Sequence, residues 1–179
     1  DSILKHEGSV LDPNTLGSDE PLHIPYRDTL GHLTVGYGHL VTPDDPEYSY
    51  TENDRIPEKR AKELFLQDFD TAIEDARSLT WNFDGLPDTY KETLSEMSFQ
   101  LGRKNLSGFE NFLGEINSPE PDPSVLQREM LASRWAQQTP NRAAELASRV
   151  YSAGARDPDF IAAAESESAA TRRRLASLN

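Results

Sequence analysis

Tyr26-Arg27-Asp28-Thr29-Leu30-Gly31-His32-Leu33-Thr34-Val35-Gly36-Tyr37-Gly38-His39-Leu40 is the densest signal in the chain. Three of the chain's ten glycines fall in its last ten residues. Thr29-Leu30-Gly31 has the turn chemistry of a hairpin, which puts Asp28 at the end of the first strand. Read as one strand beyond that turn, Leu33, Val35 and Tyr37 point to one face and Thr34, Gly36 and Gly38 to the other, because successive side chains alternate. The second face is then nearly bare backbone around a single hydroxyl. Glycine weakens a strand interior, and its usual justification is a bulge or the close approach of another group. On spacing alone the stretch reads equally as an ordinary glycine-rich hairpin and as a strand bared for a ligand.

Around this stretch the chain is punctuated by proline: Pro13, Pro21, Pro25, Pro43, Pro46 and Pro57 are six of the 12, so long helices are excluded there. The segment 9–25 is expected to be a surface excursion of the small lobe that does not fill the cleft. After Pro57 the pattern switches: Ala61, Leu64, Phe65, Phe69, Ala72, Ile73 and Ala76 recur at helical spacing, predicting one long amphipathic helix over about 57–79. Further helices are predicted near 88–101, 107–116, 124–136, 141–153 and 158–177, with 117–123 too rich in proline to be helical. The expected fold is α+β and mainly α, a single domain 1–179 in two lobes. Residues 8–56 form the small β-containing lobe, 57–80 the connecting helix, and 1–7 with 81–179 the helical lobe. A cleft between such lobes is the natural place for a ligand.

The 179 residues carry 18 Lys and Arg against 31 Asp and Glu, a net charge of −13, with 36% hydrophobic and 27% charged residues. That composition supports a folded core. The acidity argues against nucleic acid as a partner and against adsorption to anionic surfaces. No apolar run is long enough for a membrane helix, and Asp1–His6 lack the apolar run of a leader. The chain starts at Asp1 rather than Met, so it is expected to be processed or excised from something longer. Zero cysteines remove disulfides, thiolate nucleophiles and Cys-based metal sites, and His6, His23, His32 and His39 have no metal-ligand spacing. Neither a cofactor nor a metal is expected.

Glu7 ends a short apolar stretch just before Gly8, a helix-stopping residue. A carboxylate in a helix's last turn faces the negative end of the dipole, and burial would push the same way, so such an acid is suited to holding a proton. By position alone, though, Glu7 reads as an exposed surface carboxylate. Asp68 falls among Ala61, Leu64, Phe65 and Ala72 on the helix's apolar side, where an unpaired charge is costly and a partner is needed.

Taken together, Glu7-Gly8, the motif from Tyr26 to Leu40, Leu64-Phe65-x-Gln67-Asp68, Phe99-Gln100-x-Gly102 and Ser133-Arg134-Trp135-x-x-Gln138-Thr139-Pro140-Asn141-Arg142 resemble the phage-type lysozymes, glycoside hydrolase family 24. The similarity runs in order from residue 3 to about 154. It implies a lysozyme-like fold and a muramidase that cuts the β-1,4 bond between N-acetylmuramic acid and N-acetylglucosamine. It implies Glu7 as general acid, Asp28 as second carboxylate and Thr34 as the residue that helps place the attacking water. It further implies Gly38, Leu40, Phe99, Gln100 and Arg142 as substrate-binding residues, and His39 with Asp68 as a structural pair. The chemistry agrees, since glycoside hydrolysis needs one protonated carboxyl on the leaving oxygen and one carboxylate across the sugar, which activates water when the configuration inverts.

The expected partner is therefore the glycan strand of bacterial peptidoglycan, met by a monomeric domain in a phage setting. That setting is either release in the host at lysis or a virion protein, among other virion proteins, that opens the wall; the missing Met favours the second. The alternatives are a lytic transglycosylase, against which Asp28 and Thr34 argue, and a non-catalytic peptidoglycan-binding module, against which Glu7 and Asp28 argue. The spacing from Glu7 to Asp28 is longer than the family's compact pattern.

Overall fold

Five short strands carry the first part of the chain: β1 (Leu22–His23), β2 (Tyr26–Arg27), β3 (Leu33–Val35), β4 (His39–Leu40) and β5 (Ile56–Pro57). Among the described residues six α-helices follow: α1 (Glu58–Ser78), α2 (Asp88–Leu106), α3 (Glu110–Ile116), α4 (Pro123–Leu131), α5 (Arg134–Gln138) and α6 (Pro140–Gly154). This computed structural model describes residues 9–16, 20–28 and 30–154. Glu7 and the helix expected over 158–177 lie outside the described residues. The chain divides into two units, 1–73 and 74–179, with the division falling inside α1. The protein is thus mainly helical with a small antiparallel-sheet portion.

In the first unit β2, β3 and β4 form a three-stranded antiparallel sheet, with Tyr26 opposite Thr34 and Val35 opposite His39. The sheet departs from the expected single glycine strand. β3 ends at Val35, and Gly36 and Gly38 turn the chain back at φ +55° and +98°, in the left-handed region that strands do not occupy. Two hairpins therefore stand where one was expected, and the alternation of faces stops at Val35. Gly36 also lies flat on α1, where a Cβ would come within 2.8 Å of the Ala61 Cβ. Val35, Ile56, Ala61 and Leu64 form the buried cluster of this unit, with Tyr37, Val41 and Tyr50 packed at its edge.

The described residues of 9–25 pair into the first unit instead of standing off it as an excursion. Leu11 bridges to His23, Asp12 and Ile24 donate their backbone N–H to Leu22 and Val10, and β1 pairs with β5. His23 is fully buried, and Asp12 is held by Arg55 at 2.6 Å. The prolines end helices there, but they leave the short extended pieces free to pair.

Helix α1 matches the predicted span to within a residue at each end, burying Ala61, Leu64, Phe65, Ala72 and Ala76. In the second unit α2 runs on past the expected end at 101, but Gly102 breaks its helical geometry at φ +70°. The helix predicted over 124–136 is two helices. The Ser133 hydroxyl accepts from the Ala136 N–H as an N-cap and donates to the Met130 carbonyl, ending α4 and starting α5. Asp122 caps α4 ahead of Pro123, and Pro140 opens α6. α4 packs on α6, and Leu94, Met97, Leu106, Leu126, Met130 and Leu146 are fully buried.

Candidate active site

Asp28 stands immediately after β2, in the turn that returns the chain to β3. Its Oδ1 accepts from the backbone N–H of Leu30 at 2.8 Å and of His32 at 2.9 Å, and His32 Nδ1 lies 3.3 Å from Oδ2. The backbone also closes the turn, with Asp28 N–H donating to His32 O and Gly31 N–H to Asp28 O. The His32 N–H above all, outweighing a smaller upward push from burial and helped by Leu30, holds the Asp28 carboxyl below its ordinary value of 3.8. This is a carboxylate kept ionised while a third of its side chain stays open to solvent.

Thr34 sits in β3, nearly buried, and its hydroxyl donates to the His32 carbonyl at 3.3 Å. Asp28 and Thr34 therefore both bond His32 through its backbone, one from the turn and one from β3. Gly38, in the turn after β3, and Leu40, half-exposed in β4, stand apart from those bonds; a Cβ at Gly38 would meet nothing within 4 Å.

His39 and Asp68 meet: Nδ1 lies 2.9 and 3.0 Å from the two carboxylate oxygens. A third group, absent from the sequence reading, is Asp45, whose Oδ2 lies 3.4 Å from His39 Nε2 while it caps Thr42 through that residue's N–H and hydroxyl. The Asp68 hydrogen bond raises the His39 pKa above its usual 6.5 against the opposing pull of burial. Asp45 had no periodic or motif signal; its value comes from closing a turn beside a histidine.

In the second unit, the Trp135 indole N–H donates to Gln100 Oε1 at 3.0 Å, so the Gln100 amide nitrogen is turned away from the indole. That Nε2 is buried and has no hydrogen-bond partner among the described residues. Trp135, Ser133, Arg134 and Gln138 line one side of an open groove of about 780 Å³, with Asn105 and Phe109 also lining it. Phe99 and Arg142 are half-buried in α2 and α6. Among the described residues no three His, Asp or Glu side chains converge as metal ligands. No described helix is long and apolar enough to cross a membrane.

A mainly helical chain with a small sheet that presents an ionised aspartate in a tight turn is the architecture of a lysozyme-like glycosidase. Residues 22–154 match the model of the family described as phage lysozyme, and the chain belongs to that family. It is 29% identical over 136 residues to "Probable T4-type lysozyme 2" of Dictyostelium discoideum, covering 65% of this chain and 79% of that protein. "Probable T4-type lysozyme 1" of the same organism matches with the same identity and coverage. The protein is accordingly a glycosidase of the muramidase class, a peptidoglycan hydrolase.

Proposed function

We propose that the protein hydrolyses the β-1,4 bond between N-acetylmuramic acid and N-acetylglucosamine with inversion, using Glu7 as general acid and Asp28 as the base that activates water. The observation that carries this is the state of Asp28. Two backbone N–H groups hold it ionised and orient it without neutralising it, which is what a base facing the anomeric carbon requires. Thr34, a hydroxyl able to donate and accept, helps hold the water beside it. Gln100 contributes substrate binding: its unpaired amide N–H suits the carbonyl of an acetamido sugar, with Phe99, Arg142, Gly38 and Leu40 as further contacts. The His39–Asp68 pair holds the fold and takes no part in the chemistry.

Inversion needs room for a water, so the Glu7 and Asp28 carboxyls should stand roughly 6.5 to 9.5 Å apart. For the setting we keep a phage role, as a lysis enzyme or a virion protein. The family's description supports it, although the Dictyostelium relatives are proteins of a cellular organism.

The test is loss of turbidity of purified peptidoglycan by wild type and Glu7→Gln, which keeps the shape and removes the transferable proton. Near-complete loss is expected; activity above roughly a tenth of wild type refutes the role of Glu7. Early NMR of the muropeptides should show α reducing ends from the β-linked substrate. Anhydro-muramic ends would establish a transglycosylase, and β ends would establish retention.

A further inference from the structure

Glu58 opens α1 with its carboxylate held by three donors from three places in the chain. His23 Nε2 lies 2.6 Å from Oε2, the Tyr37 hydroxyl donates to Oε1 at 2.8 Å, and Lys62 Nζ lies 2.8 Å from the same oxygen. Burial pushes the Glu58 carboxyl up, but the hydrogen bonds of Lys62, His23 and Tyr37 outweigh it and hold the group at about 2. A carboxylate in that state only accepts, so the proton of the short His23 contact sits on Nε2. Tyr37 is pushed up to about 12 by burial and by Glu58, and so stays a donor. The His23 ring is fully buried and meets the Tyr37 ring edge-on at 5.0 Å between centroids. Its other nitrogen, Nδ1, has no hydrogen-bond partner among the described residues, which leaves Glu58 as the ring's polar tether there.

The positions of those donors matter more than their number. His23 lies in β1, on the extended chain that runs into Tyr26; Tyr37 lies in the turn that follows Thr34 and Val35. Tyr26 and Thr34 are paired across the hairpin whose tip is the Asp28–His32 turn. One carboxylate thus grips the chain on both flanks of the strand pair that carries the proposed base and the water-placing hydroxyl. Beside this grip the Gly36 backbone lies against Ala61, and Val35 is fully buried, so the turn is seated on the helix that bears Glu58.

We propose that Glu58 is a positioning residue for the glycosidase reaction: by holding His23 and Tyr37 together it sets where the hairpin bearing Asp28 and Thr34 stands, without touching substrate itself. The inference rests on the roles given above to Asp28 and Thr34. A reacting group must be held to within about half an ångström of its productive place, and a misplacement of about 1 Å can cost on the order of a hundredfold in rate.

Steady-state kinetics on soluble peptidoglycan oligosaccharides, with Glu58→Gln, Tyr37→Phe and Asp28→Asn measured side by side well below their melting temperatures, test this. Glu58→Gln should lower kcat roughly tenfold and Tyr37→Phe about threefold, each with KM within about twofold of wild type. A merely structural role would lower the melting temperature and leave kcat per folded molecule unchanged. The amide-proton shifts of Leu30 and His32, which report their bonds to Asp28, should move in both variants. Should Glu58→Gln fail to fold, Tyr37→Phe, which loses one hydroxyl, decides alone: wild-type kcat with unmoved amides overturns the proposal. Asp28→Asn separates the two claims. If it is inactive while Glu58→Gln and Tyr37→Phe behave as wild type, only the Glu58 assignment falls; if it keeps wild-type kcat, the role of Asp28 falls and this inference with it.

Discussion

The two units of this chain are held together by different physics. In the first, a small apolar cluster of Val35, Ile56, Ala61 and Leu64 is surrounded by carboxylates that tie short segments together: Asp12 to Arg55, Glu47 to Arg60 through two bonds, Glu58 to His23, Tyr37 and Lys62, and Asp68 to His39. In the second, α4 lies on α6, and Leu94, Met97, Leu106, Leu126, Met130 and Leu146 are fully buried. Strands of two or three residues cannot bury much apolar surface, so the first unit specifies its geometry by directional, charge-assisted bonds; helices bury whole faces and need fewer of them. The unit that carries the proposed base is therefore the one whose geometry leans more on ionised side chains, although Arg149 also holds the buried Glu96 in the second.

Four experiments press on this contrast, beginning with the largest effect. If the chemistry belongs to the hairpin and substrate holding to the helices, Asp28→Asn should cut kcat on peptidoglycan at least about a hundredfold while Gln100→Ala chiefly raises KM. Equal losses in kcat would erase the distinction. Next, Leu146→Ala should destabilise the protein by about 2 to 5 kcal/mol in denaturant melts, with no dependence on pH between 4 and 8.

Acid should act more strongly on the first unit, where lowered carboxylates are more numerous than in the second, in which Asp84, Asp88 and Asp122 are also held below their ordinary value. Asp12, Asp28, Asp45, Glu47, Asp54 and Glu58 all have folded pKa values below their ordinary 3.8 or 4.5. Their contribution is complete above those ordinary values and fades as pH falls toward the folded ones, down to about 2 for Glu58. Hydrogen exchange across that range should show amides of residues 22–68 losing protection before those of 90–150; simultaneous loss would show one cooperative unit.

The smallest effect is the His39–Asp68 coupling, which a double-mutant cycle with His39→Gln and Asp68→Asn should place at about 0.5 to 3 kcal/mol. Here the sign reverses. The folded His39 pKa is raised, so the coupling is full below 6.5 and should shrink as pH climbs through the folded value. A coupling that persists at alkaline pH would mean that charge is not its source.

What could be read from the residues follows the same division. The helices were legible because their apolar positions repeat: α1 is found at Glu58–Ser78 against an expected 57–79. The break between α4 and α5 was not, since Ser133 sits as readily inside a helix as at its cap, and only its bonds to Ala136 and Met130 decide. The Tyr26–Leu40 stretch announced a hairpin, but alternation hid that Gly36 and Gly38 make a second turn. Asp68's need for a partner could be argued from its helical face. Asp45 beside His39 could not, because a turn aspartate a few residues on belongs to no periodic pattern, and Glu58 with His23 and Tyr37 could not, because partners 35 and 21 positions away leave no period to detect.

The seat of Gly36 on Ala61 carries a consequence for how this sequence can vary. The turn and the helix approach each other through a missing side chain on one and a single methyl on the other, with a hypothetical Gly36 Cβ only 2.8 Å from that methyl. Residues 36 and 61 are therefore one choice rather than two, and the positive φ at 36 restricts that choice further. Enlarging position 61 would lift the β3–β4 turn, carrying Tyr37 with it. A library that samples the two positions independently will return mostly enzymes with a displaced hairpin, whereas one that leaves both untouched is free to explore the exposed face of the same helix.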